Sequence, residues 1–189
     1  MKIAKAYQKD VFCLEGDWNI NLLKQNTVQA ALDFLKINRK INYIHRHCGT
    51  PENLKHYIEQ WQLKRYSNYS ILYLAFHGKP GKILINKIPV TLDDLAVILG
   101  KNCHNRIIHF GSCETLNTDL RHIKRFLKYT NALCVCGFGK EIAFIEGSVF
   151  DILLIDKFQE FKDVRTVYKN LLNNYKSLSK KLEFKMVYL

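Results

Sequence analysis

Ile71-Leu72-Tyr73-Leu74-Ala75-Phe76-His77-Gly78 is an apolar run, dense in strand-favouring residues, that stops abruptly at a histidine and a glycine. Ile107-Ile108-His109-Phe110-Gly111-Ser112-Cys113-Glu114 has the same form and stops at a cysteine. In an open parallel sheet, chemistry collects just beyond the carboxyl ends of the strands. Neighbouring strands lie roughly 4.8 Å apart, so His77 and Cys113 can meet if these two strands pair. An imidazole beside a thiol is the minimal equipment for nucleophilic attack on a carbonyl carbon.

Strand and helix patterns alternate outward from this pair. Val11-Phe12-Cys13-Leu14 reads as a first buried strand, followed by a helix with Thr27 as its cap and Val28, Ala31, Leu32 and Leu35 on one face. Residues 41–45 form a second strand. Thr50 and Pro51 then start a helix whose inward stripe is Leu54, Tyr57, Ile58 and Trp61. After His77-Gly78, the turn Lys79-Pro80-Gly81 and the alternating Ile83 and Ile85 predict a small hairpin outside the main sheet. Thr91-Leu92-Asp93-Asp94 opens a short helix with a capping box, and Gly100 ends it.

Residues 106–111 are the fourth main strand. A helix marked by Leu120, Ile123, Phe126 and Leu127 leads to a fifth strand over 132–136, which ends at Gly137-Phe138-Gly139. A long apolar helix is expected over 143–160 and an amphipathic one carrying Val164, Val167, Tyr168, Leu171, Leu172 and Tyr175. The alternation over 182–188 predicts an edge strand with one exposed face. The fold class is α/β: one domain over 1–189, with a mainly parallel sheet of about six strands and helices on both faces.

Composition agrees with one globular domain, since 48% hydrophobic and 24% charged residues are far from a disordered balance. No stretch reaches the roughly 18 apolar residues a membrane helix needs. Residues 1–10 carry charges and no apolar h-region, so a signal peptide is not expected and the chain is placed in the cytoplasm. In that compartment the six cysteines are read as thiols, with Cys13, Cys134 and Cys136 as small core residues. His45-Arg46-His47-Cys48 sets two histidines on one strand face but fails the ligand count for a metal site. Neither a metal nor another cofactor is expected. The formal charge of +12 is spread along the chain without a basic block or aromatic stripe, which argues against nucleic acid as a partner.

The chemistry at the two strand ends is specific. His77 would hold the thiol proton and deliver it to a leaving amine. Backbone N–H groups of Gly78 and Cys113 would serve the oxyanion, Gly78 by turning tightly enough to aim its amide inward. Gly111 and Ser112 keep the strand end small enough for a substrate to approach. His109, inside its strand, should point into the packing of the sheet instead.

The order strand-His-Gly, small hairpin, helix, strand-Ser-Cys resembles the caspase-like cysteine peptidases, and most closely their bacterial CHAT branch. His77-Gly78, Ser112-Cys113 and the following Glu114-Thr115 carry the resemblance. The interval from His77 to Cys113 is somewhat shorter than the roughly 50 residues noted for caspases. The resemblance implies a three-layer caspase-like fold, with Cys113 as nucleophile, His77 as general base and acid, and the Gly78 and Cys113 amides as the oxyanion hole. It implies a protein or peptide substrate, and an activating or restraining partner for an enzyme with no recognisable pro-segment. Two departures leave specificity open. Gly111 stands where caspases and metacaspases place a polar or acidic pocket residue, and Gly137-Phe138-Gly139-Lys140-Glu141 replaces a Trp-containing stretch.

Ser112 and Phe138 are further candidates for the substrate pocket. Glu141 or Glu146 would suit a basic substrate residue and Lys140 an acidic one. Residues 138–146 are expected to become ordered on activation. A catalytically inactive interaction module of the same fold is the competing reading, and a basic nucleic-acid-binding regulator a third.

Overall fold

The central apolar runs become strands whose two faces are both covered, so successive side chains enter different cores. The computed structural model describes residues 8–21 and 23–189. The elements are β1 (Val11–Glu15), α1 (Gln29–Arg39), β2 (Tyr43–His47), α2 (Pro51–Trp61), β3 (Ile71–Ala75), β4 (His77–Lys79), β5 (Lys82–Ile85) and β6 (Ile88–Thr91). They continue with α3 (Leu92–Leu99), β7 (Ile107–Phe110), α4 (Leu120–Thr130), β8 (Cys134–Phe138), α5 (Phe144–Glu160), α6 (Val164–Asn174), α7 (Lys176–Lys181) and β9 (Phe184–Tyr188).

The main sheet runs β2-β1-β3-β7-β8-β9, parallel throughout except for the β8–β9 pair. In β3, Leu72 and Leu74 join the cluster under α2, α3 and α4, as does Phe76 just beyond the strand, while Ile71, Tyr73 and Ala75 join the one under α1, α5 and α6. This three-layer α/β architecture agrees with the expectation. The chain leaves β1 for β2 on one side and returns to β3 on the other. The carboxyl ends of β1 and β3 therefore flank the switch point, where such sheets bind ligands.

Local signals hold where a side chain meets its own backbone. Thr50 Oγ1 accepts the Asn53 N–H at 3.2 Å. The capping box at α3 is complete: Thr91 Oγ1 accepts the Asp94 N–H at 3.1 Å and Asp94 Oδ2 accepts the Thr91 N–H at 2.9 Å. The hairpin is a three-stranded antiparallel sheet, β4-β5-β6, with Ile83 and Ile85 in the core.

Three expectations shift. β2 starts later than residue 41, because Asn42 directs its N–H to Asp10 Oδ1 at 3.0 Å. β8 likewise starts at Cys134, although Ala132 is already buried. β9 is an edge strand, but neither face is open: Val187 packs in one cluster and Phe184 and Met186 in the other. Helices reach over both of its sides, so the exposed face is corrected. Among the described residues, no helix is long and apolar enough to cross a membrane. The reading of the first ten residues falls mostly outside those described.

Candidate active site

Glu15, His77 and Cys113 all lie at the carboxyl ends of parallel strands, and therefore on one rim of the sheet. The β3–β7 register pairs Leu74 with Phe110 and ends equally far before His77 and Cys113.

A tight turn presents the cysteine. Glu114 has φ of 54°, a left-handed conformation that costs a non-glycine residue energy and persists when its surroundings enforce it. Those surroundings are a 2.6 Å hydrogen bond between the Ser112 and Thr115 hydroxyls, the Gly81 N–H on the Thr115 carbonyl at 3.1 Å, and the Leu116 N–H on the Phe138 carbonyl at 3.2 Å. A Cβ on Gly78 would fall 2.1 Å from the Cys113 carbonyl oxygen. Glycine is needed there because two backbones touch. The expected turn at Gly78 is replaced by a strand position opposite Ile83.

His77 is oriented by a residue far away in sequence. Its Nε2 lies 2.9 Å from the Trp18 carbonyl oxygen. A carbonyl only accepts, so Nε2 carries a proton, and the tautomer this bond selects for the neutral ring has its lone pair on Nδ1. The Trp18 ring packs edge-on against His77 and Phe144, and its Nε1–H donates to Glu15 at 2.5 Å. Glu15 is only 4% exposed. It also accepts from Thr27 Oγ1 at 2.7 Å and the Val28 N–H at 2.8 Å, and it lies 2.6 Å from His45 Nε2. Burial alone would raise its carboxyl pKa, but these hydrogen bonds outweigh burial and hold it below the usual range.

His77 and Cys113 open onto a shared cavity of about 190 Å3. Trp18, Asn26 and Val28 form one wall, and Glu141, Ile142 and Phe144 another. Gly111, with Gly147, Ser148 and Asp151 of α5, completes the lining. Among the described residues no hydrogen bond joins His77 to Cys113. The sulfur instead receives the Ile142 N–H at 3.4 Å and faces the Ile142 carbonyl at 3.7 Å. Burial pushes the half-buried thiol up, the Ile142 N–H opposes this, and the charges of Glu141 and Glu114 add to the rise.

Asp151 is 3% exposed and accepts from Tyr73 Oη at 2.5 Å and His109 Nε2 at 2.7 Å. His109 is fully buried, stacks on Tyr73, and has Cys136 Sγ 3.5 Å from its Nδ1. A Cβ on Gly111 would lie 2.2 Å from Tyr73 Cε2, so the Tyr73 ring takes the space of a side chain two residues before the cysteine.

Of the expected pocket residues, Gly111 and Glu141 line the cavity and the others do not. Ser112 is buried on Thr115, and Phe138 packs against His109, Phe150 and Phe184. The Lys140 side chain is exposed, while its carbonyl accepts the Glu114 N–H at 3.1 Å. Glu146 pairs with Lys181. Within 138–146, Ile142 meets the Cys113 sulfur and the Lys140 carbonyl holds the neighbouring Glu114 amide. Trp18, Glu15 and Asp151 escaped the sequence reading. Glu15 ends an apolar strand much as His77 follows one, and Asp151 is a lone acid on the apolar face of a helix; both signals were visible.

His45 and His47 each have a carboxylate partner, Glu15 and Asp17. No group of three or more metal-binding side chains occurs among the described residues. No curated protein matches the sequence. Residues 8–188 match the model of a family described as a family of unknown function (DUF6642), and the chain belongs to that family.

Proposed function

We propose that this protein is a cysteine endopeptidase of the caspase-like type, acting through Cys113 and His77. The observation that carries the reading is that both side chains face one cavity at the ligand-binding rim, with His77 held in the tautomer that leaves Nδ1 basic. In the proposed reaction His77 takes the thiol proton as Sγ attacks the peptide carbonyl carbon. The Gly78 and Cys113 amides bind the oxyanion. His77 then protonates the leaving amine, which departs and leaves a thioester. Water, deprotonated by His77, releases the acid and restores the thiol. The cycle uses no metal or organic cofactor.

The resemblance to CHAT-branch peptidases at His77-Gly78 and Ser112-Cys113 supports the same roles. Apo geometry often holds catalytic groups apart until substrate arrives, so the open His77–Cys113 pair fits a resting state. A restraining or activating protein partner is part of this reading, as is a cytoplasmic location, for which six free thiols speak. The second reading, a non-catalytic interaction module, is favoured by the raised thiol and its engagement with Ile142.

Screening a peptide library with the whole chain, with Cys113→Ala as control, separates the two. Cleavage that disappears in the variant is expected. Absence of cleavage, together with Cys113 alkylation unaffected by His77→Ala, would leave the interaction module.

A further inference from the structure

We infer that the cavity beside Cys113 receives a cationic side chain, lysine or arginine, from the substrate residue preceding the scissile bond. This rests on the cysteine-peptidase reading. The chain carries 29 Lys and Arg against 17 Asp and Glu, so an average pocket would be basic. The lining runs the other way: its charged residues are Glu141 and Asp151, with no Lys or Arg.

Asp151 is the deciding group. It is more than nine-tenths buried, and buried carboxylates are ordinarily matched by a cation. Its hydrogen-bond partners here are a phenol and an imidazole. Among the described residues no Lys or Arg side chain bonds to Asp151. Asp151 also lines the cavity, so a cation placed there would meet a buried carboxyl group that has no Lys or Arg of its own. Glu141 adds a second negative charge at the exposed loop.

The remaining walls suit the rest of such a side chain. Val28, Ile142 and Phe144 offer apolar surface to an aliphatic stem, while the carboxylates face its head. Gly111 and Gly147 contribute no side chain to block entry. An acidic residue would bring a third carboxyl group into the same space, and a neutral one would offer the two acids no cation.

The test uses the whole chain and three peptidyl chloromethyl ketones that differ only in the last residue: arginine, norleucine or aspartate. Each alkylates the sulfur with loss of chloride, and labelling of Cys113 is followed by mass spectrometry. Arginine is expected to label roughly ten- to a hundredfold faster than norleucine, the range of a charge-assisted hydrogen bond, with aspartate slowest. Asp151→Asn and Glu141→Gln should each shrink that ratio. The exposed Glu141 variant decides the matter if Asp151→Asn does not fold.

Norleucine or aspartate labelling at least as fast as arginine overturns the inference and leaves the peptidase reading standing. If no reagent labels Cys113, the peptidase reading fails. Calorimetric binding of acetyl-argininamide against acetyl-norleucinamide then judges the cavity alone: preference for the cation sustains it, and equal binding overturns it.

Discussion

His77 donates its Nε2 proton to the carbonyl oxygen of Trp18, 2.9 Å away, and this bond selects the ring nitrogen left to act as a base. Trp18 is anchored in turn by its indole N–H on Glu15. A buried carboxylate at the end of β1 thus positions an imidazole at the end of β3 without touching it.

Glu15→Gln replaces an acceptor for four donors with an amide that must itself donate. Urea unfolding should show a loss of about 1–3 kcal/mol, the cost of leaving a buried donor unpaired. The pH dependence has a definite sign. The folded Glu15 carboxyl lies below its ordinary value of 4.5, so its contribution is complete above that pH and is lost as pH falls through the folded value. Wild type should therefore lose stability below about pH 4.5 more steeply than Glu15→Gln. Parallel acid limbs for the two proteins would contradict this.

Of the six cysteines, Cys113 alone is not fully buried. Burial pushes the Cys48 and Cys103 thiols up to about 12. Iodoacetamide should place one label on the native protein, at Cys113, with a rate still rising past the ordinary thiol range. Glu141→Gln removes a charge that disfavours the thiolate, so its rate profile should move to lower pH. A second labelled cysteine, or a profile moving the other way, would refute the assignment.

His77→Ala should reduce peptide cleavage by about 10²–10⁴-fold, the usual share of a general base. Labelling of Cys113 well above the thiol range should persist, since hydroxide then generates the thiolate unaided. Steady-state cleavage beside alkaline alkylation measures both. Undiminished cleavage would remove His77 from the mechanism.

Gly111→Ala drives a Cβ to 2.2 Å from the ring of Tyr73, which is fully buried and bonded to Asp151. The expected cost is about 1–3 kcal/mol of stability from overpacking, read by denaturant titration. A neutral substitution would mean that the Tyr73 ring shifts freely and does not fix the cavity floor.

Continuous apolar runs and cap residues announced β3, β7, α2 and α3 because their signals lie within a few residues: side-chain period, Thr50 before Pro51, Thr91 before Asp94. His77 and Cys113 were legible for the same reason, as the residues at which two such runs stop. Distance in the chain hid the rest. Tyr73 and Asp151 stand 78 positions apart, and His77 and Trp18 59. No local pattern links such pairs; they meet only when α5 and the loop after β1 pack over the same rim. Composition marked Lys140, Glu141 and Glu146 as equivalent charged residues of one segment. Packing turned Glu141 to the cavity and left Lys140 in solvent and Glu146 on Lys181, because the direction of a side chain is set by the path its backbone takes through the loop and into α5.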